Sequence, residues 1–112
     1  MILDRKCDVS VIIPAYSAED HIERSINSVF KQTVLPNEII VVDDGSEDGT
    51  WLTLSEIAKR QNPTILKIFS KSHGGPGAAR NLAIRNSSSY YLAFLDADDE
   101  WLPTKLEETM RY

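Results

Sequence analysis

A single cysteine, Cys7, is all this 112-residue chain offers for cross-linking, so it has no internal disulfide framework and suits a reducing compartment. Cys7 also lacks the clustered Cys and His neighbours of a zinc site. No run approaches the ~18 apolar residues that a membrane span needs. The stretch from Met1 to Lys6 has no apolar heart of a signal peptide. The chain therefore reads as cytoplasmic, and peripheral attachment at the inner face of a membrane, through a segment outside it, stays open. Basic charge is scarce as well. Twelve Lys+Arg against seventeen Asp+Glu leave a formal charge of −5, which argues against a nucleic-acid partner and is compatible with recruiting metal cations. The length allows one domain at most.

What the chain does have is acid, concentrated in one place. The apolar run Tyr91-Leu92-Ala93-Phe94-Leu95 ends in Asp96-Ala97-Asp98-Asp99-Glu100, four acids within five residues. Two unit charges about 4 Å apart cost roughly 1 kcal/mol in water and several-fold more at a partly buried site. In extended chain Asp96 and Asp98 project to the same side. They would offer hard oxygen donors of the kind that magnesium and manganese favour. Taken alone, the stretch leaves two readings open: a solvated acidic turn, or a metal site.

In order along the chain, Val9–Ile13 is a β-branched apolar run closed by Pro14, and reads as a buried strand. Ser17 with Asp20 three residues on makes a loose capping box. Ile22, Ile26, Val29 and Phe30 then fall at helical spacing, predicting a helix from about 18 to 32. Pro36-Asn37 predicts a turn. Glu38–Val42 is a second buried strand, ending in Asp43-Asp44-Gly45-Ser46. Asp48-Gly49-Thr50 opens a second helix, with Trp51, Leu54, Ile57 and Ala58 on one face, and Asn62-Pro63 stops it. Ile65–Phe69 is a third strand. The glycine-rich turn His73–Gly77 leads into a short helix, 78–86, and Tyr90–Leu95 is the fourth strand. Pro103 suits the first turn of a last helix carrying Leu106 and Met110. That helix has no stop signal, so the chain is expected to be the front part of a longer protein.

Strands apolar throughout and alternating with helices predict an α/β fold: a mostly parallel sheet with helices on both faces. Ligands in such sheets bind beyond the carboxyl ends of the strands. Every unusual feature of the sequence falls there: Pro14-Ala15-Tyr16, Asp43-Asp44, the His73 turn, and Asp96 to Asp99. Each has a plainer reading too. Asp-Gly is ordinary turn chemistry, Tyr16 suits packing, Arg80 suits a solvated helix face, and a lone His73 without partners is a poor catalyst.

Five segments carry a resemblance. Val11–Tyr16, Ile40–Ser46, Asp48–Thr50, Gly77–Asn81 and Leu95–Asp99, in that order and spacing, resemble the signature of inverting family-two glycosyltransferases, which have the GT-A (Rossmann-like) fold. The match runs from Val9 almost to the end. The resemblance implies residues 1–112 as the nucleotide-sugar-binding part of a transferase that takes a UDP-sugar donor and delivers the sugar, with inversion, to an acceptor hydroxyl on a saccharide or lipid-linked acceptor. Pro14, Ala15 and Tyr16 would line the base, Asp44 with Asp43 would hold base and ribose, and Arg80 would lie near the nucleotide. Asp96-Ala97-Asp98 would form the D-x-D motif, with Asp96 toward ribose or sugar. Asp98, and Asp99 beside it, would hold Mn2+ or Mg2+. The general base would lie beyond Tyr112, leaving no catalytic residue in this chain.

Two other families place acids at strand ends. A haloacid-dehalogenase-type phosphatase carries its D-x-D after the first strand, with Thr or Val two residues past the second Asp, where this chain has Glu100. A receiver-like signalling domain has its acidic pair after strand one and a lone Asp after strand three. Here the acids end strands two and four. A dinucleotide-binding turn is excluded because Pro14–Ser17 lacks G-x-G-x-x-G.

Overall fold

The computed structural model describes residues 6–110. Strands β1 (Lys6–Ala15), β2 (Leu35–Asp43), β3 (Ile65–Ser70) and β4 (Tyr91–Phe94) alternate with helices α1 (Ile22–Phe30), α2 (Thr50–Ala58), α3 (Pro76–Arg85) and α4 (Lys105–Thr109). The strands pair in the order β3-β2-β1-β4, and every pairing is parallel. Parallel neighbours cannot be joined by a tight turn, so each connection carries a helix over the sheet.

The parity of the strand residues decides which helix covers what. Val9, Val11 and Ile13 with Ile39 and Val41 face one way, against Ile22, Ile26 and Val29 of α1 and Leu54 and Ile57 of α2. Ile12, Ile40 and Val42 face the other way, against Ala79 and Ala83 of α3, whose small side chains let that helix sit close. Ile12, Ile13, Ile39 and Ile40 are fully buried, each contributing about 1.5–3 kcal/mol. Helices therefore cover both faces, as the apolar runs predict. The hand of the crossovers explains the split. Stepping from β1 to β2 to β3 keeps α1 and α2 on one face; stepping back past both to β4 with the same hand puts α3 on the other. The reversal makes the space between β1 and β4 the point where ligand crevices form in such sheets.

Several boundaries differ from the sequence reading. β2 runs through Pro36-Asn37, where a turn was expected. The β1–β2 register is irregular between Cys7 and Ser10, opposite Pro36, and an irregular rung tolerates the missing proline N–H. α2 ends at Ala58, ahead of Asn62-Pro63, and the Asn62 amide donates to the Ile57 carbonyl at 2.9 Å. α3 begins at Pro76, two residues early, since a helix's first position needs no N–H. Four residues of β4 are paired, to β1 only, and Tyr91, Leu92 and Phe94 stay partly exposed along it.

One buried acid escaped the periodicity argument. Glu38 is 2% exposed and five residues short of the end of β2. Its carboxylate accepts from Ser10 Oγ on β1 (2.6 Å) and from Ser88 N (2.7 Å), and pairs with Lys67 Nζ on β3 (2.6 Å). Burial alone would raise its pKa. The bonds from Lys67, Ser10 and Ser88 outweigh that and hold it down at about 2. This single carboxylate ties three strands and the lead-in to β4.

Candidate functional site

The loop after β1 is built by a pair of hydroxyl relays. Asp43 Oδ1 accepts from the hydroxyl of Ser46, and Ser46 Oγ in turn accepts the Ser17 N–H at 2.8 Å. Asp48 Oδ1 accepts from Thr50 Oγ1 at 2.6 Å, and Thr50 Oγ1 accepts the Ala18 N–H at 2.8 Å. The Thr50 hydroxyl bond lowers the Asp48 pKa, against a smaller opposing effect of burial. Ser17 takes a left-handed conformation with φ of 51°. The expected capping box is therefore absent: the N–H groups of Ser17, Ala18 and Glu19 are held by the 46–50 loop, no side chain caps α1, and the helix starts at Ile22.

The turn between β3 and α3 is organised by Asp44, which is 2% exposed. Its two oxygens accept from Gly74 N (2.9 Å), Gly75 N (2.8 Å) and Lys71 Nζ (3.1 Å), and His73 Nδ1 lies 2.9 Å away. Burial alone would raise its pKa, but the N–H groups of Gly74 and Gly75 together with Lys71 win, and it is lowered. Gly45 sits against this turn with φ of +77°, and a Cβ there would lie 2.6 Å from the His73 nitrogen. Only glycine fits that approach.

These loops enclose a cleft of about 380 Å³ at the β1–β4 reversal. Pro14, Ala15 and Tyr16 form one wall, Asp96, Ala97 and Asp98 the other, and Asp44 and Arg80 line it as well. Eighty residues separate the two walls in sequence, and parallel pairing of β1 with β4 brings them together. Arg80 is half-buried and makes no side-chain hydrogen bond or ion pair among the described residues. The same holds for the carboxylates of Asp96, Asp98 and Asp99. Each of those three acids is exposed and offers an oxygen within 4.8 Å of the others. Unpaired hard oxygens at that spacing fit a divalent cation. The cleft thus carries an uncommitted cation and a group of uncommitted anions.

The likeness to known proteins follows this geometry. Residues 10–112 match the family model described as glycosyl transferase family 2. The chain belongs to that family. It is 40% identical over 99 residues to the UDP-Glc:alpha-D-GlcNAc-diphosphoundecaprenol beta-1,3-glucosyltransferase WfgD of Escherichia coli, covering 88% of this chain and 38% of that one. It superposes on S. aureus TarS 1-349 in complex with UDP-GlcNAc with a TM-score of 0.81 at 31% identity, over 92% of this chain and 30% of that one. It also superposes on the mannosyltransferase PcManGT of Pyrobaculum calidifontis in complex with GDP-Man and Mn2+, with a TM-score of 0.77 at 28% identity, over 84% and 28% of the two chains. The sheet is that of GT-A glycosyltransferases. The chain spans about two fifths of the length of curated relatives such as WfgD. Family membership removes the phosphatase and receiver readings.

Within this family-two chain, the structure gathers most of the residues singled out from sequence, but not all. Asp43 lies behind the wall, buried, with its carboxylate bonded to Ser46. Asp99 adjoins Asp98 in the acidic group without lining the cleft. His73, set aside as a catalyst, does line the cleft, and its ring stacks on Tyr16 with centroids 4.3 Å apart. His21 and Pro76 line it too. The available signal for His73 was its place after β3, at the carboxyl edge shared with every other site segment.

Proposed function

We propose that this chain is the donor-binding part of an inverting glycosyltransferase that moves a sugar from a UDP-sugar to an acceptor hydroxyl. The observation that carries the reading is the cleft itself. An aromatic ring stands on one side of the sheet's reversal point and two unpaired carboxylates on the other with a third adjoining them, and a free arginine also lines the cleft. The open face of Tyr16 receives the base. Asp44 meets base and ribose through the oxygen it now shares with His73, whose half-exposed ring is the replaceable partner; Asp43 acts behind it by shaping the loop. Arg80 faces the diphosphate. Asp96 turns to ribose or sugar, while Asp98 and Asp99 hold Mn2+ or Mg2+. A cation held there neutralises the departing diphosphate.

The ligands in the TarS and PcManGT complexes, a UDP-sugar in one and a GDP-sugar with Mn2+ in the other, support donor and metal classes of this kind. The name of WfgD, with its diphosphoundecaprenol acceptor, supports a lipid-linked saccharide acceptor, hence polysaccharide synthesis for the cell envelope at the inner face of the membrane. No described helix is long and apolar enough to cross a membrane. The acceptor site and general base belong to sequence beyond Tyr112 in this reading.

The test is a UDP titration of the protein followed by NMR, with and without manganese. Weak binding is expected, with a dissociation constant near ~1 mM, or about −4 kcal/mol. Manganese should strengthen it, and Asp98→Ala should abolish that gain. Failure to bind UDP under either condition sinks the reading.

A further inference from the structure

The acidic turn has no side-chain partners of its own, so something else must fix the spacing of its carboxylates. Exposed like charges within 4.8 Å repel one another, and nothing in Asp96, Asp98 or Asp99 compensates. Inside the turn, the Asp99 N–H donates to the Asp96 carbonyl at 3.0 Å. From outside, the only side chain among the described residues that bonds its backbone is Ser25. That residue is on α1, fully buried, and more than seventy residues away in sequence. Its hydroxyl donates to the Ala97 carbonyl at 2.7 Å and also faces the Asp99 carbonyl, so one proton is shared between two acceptors that flank Asp98. The Ala97 methyl packs into the core beside it. Ser25 opens a polar ladder that runs along α1 and just past its end: Ser28 Oγ accepts the Trp101 N–H at 3.1 Å, and Gln32 bonds the Leu102 carbonyl at 2.7 Å and the Leu106 N–H at 2.9 Å. Only the Ser25 rung touches the acid-bearing residues.

We propose that Ser25 is a positioning residue for the acidic turn: it holds the Asp98 backbone in the conformation that presents the carboxylates together, and so sets cation affinity without touching the cation. The inference rests on reading that turn as the metal site. Groups one step removed from a ligand commonly change metal affinity by about 10–100-fold when removed, because they orient what does bind.

The experiment compares UDP affinity with and without manganese in the wild type, Ser25→Ala, Ser25→Cys and Ser10→Ala. Ser10 is the control, because its equally buried hydroxyl bonds Glu38, away from the cleft. Ser25→Ala should cut the manganese-dependent gain in UDP affinity by about tenfold and change metal-free UDP affinity far less. Ser25→Cys, a weaker donor of similar size, should fall between. Ser10→Ala should lose stability and keep the full gain. Amide hydrogen exchange, measured without metal, should speed up at residues 97–101 in Ser25→Ala and not in Ser10→Ala. A wild-type protein that binds UDP with no manganese gain overturns the metal reading, and the inference with it. A wild-type gain that Ser25→Ala retains, with unchanged exchange at 97–101, overturns the inference alone.

Discussion

Acid should unfasten this sheet at one identifiable point. Glu38 has its pKa lowered from 4.5 to about 2 in the folded chain. A carboxylate whose folded pKa is depressed adds stability that is fully present above 4.5 and disappears as pH falls toward 2. A shift of this size corresponds to about 3 kcal/mol, at roughly 1.4 kcal/mol per unit. Its main partner, Lys67, is 35% exposed, so solvent screening trims the contribution to about 2 kcal/mol. Urea unfolding followed by circular dichroism at pH 7 and at pH 3 measures the loss. Asp44 and Asp48 also have lowered pKa values and contribute to the total acid effect, so the informative quantity is a difference. Glu38→Gln should be less stable than wild type by about 2 kcal/mol at pH 7, and that gap should mostly close by pH 3. Parallel pH curves for the two proteins would refute the role assigned to Glu38.

Two further outcomes check the cleft. Tyr16→Ala should weaken UDP binding by roughly tenfold, since a base stacked on an aromatic ring is worth about 1–3 kcal/mol, while the manganese gain persists; equal affinities would remove Tyr16 from the base site. Gly45→Ala should cost at least ~1–2 kcal/mol in urea unfolding, because its left-handed backbone penalises a side chain and the Cβ meets the His73 backbone. An unchanged midpoint would mean the 71–75 turn does not pack as described.

The strands and their order on the chain were legible because parallel strands buried on both faces read as unbroken β-branched runs. Ile39–Val42 and Val9–Ile13 could hardly be anything else. Most of the cleft was legible for a related reason, since its residues follow strand ends. What stayed hidden was polar and long-range. Counting apolar positions locates Ile22, Ile26 and Val29 on α1 but says nothing of Ser25 and Ser28 between them or of Gln32 just past the helix, whose partners lie some seventy residues on. Neighbouring aspartates likewise look equivalent on paper. The pleat sends Asp43 back toward Ser46, and the end of the strand frees Asp44 to hold the next turn. The start of α1 was misplaced because Ser17 and Ala18 answer to Ser46 and Thr50 rather than to the helix they precede.

The position of β4 has a consequence for how the molecule assembles. β1, β2 and β3 each pair with the next strand in the chain and can form the sheet progressively, whereas β4 must return past two strands to pair with β1, some eighty residues back. Closing so long a loop is slow relative to the local pairings. Until it closes, Tyr16 has no opposite wall and Asp96 to Asp99 are an acidic tail. On the proposed donor-binding reading, affinity for nucleotide is thus a gauge of whether the sheet has closed: a chain with native helices and three native strands would still be blind to that ligand.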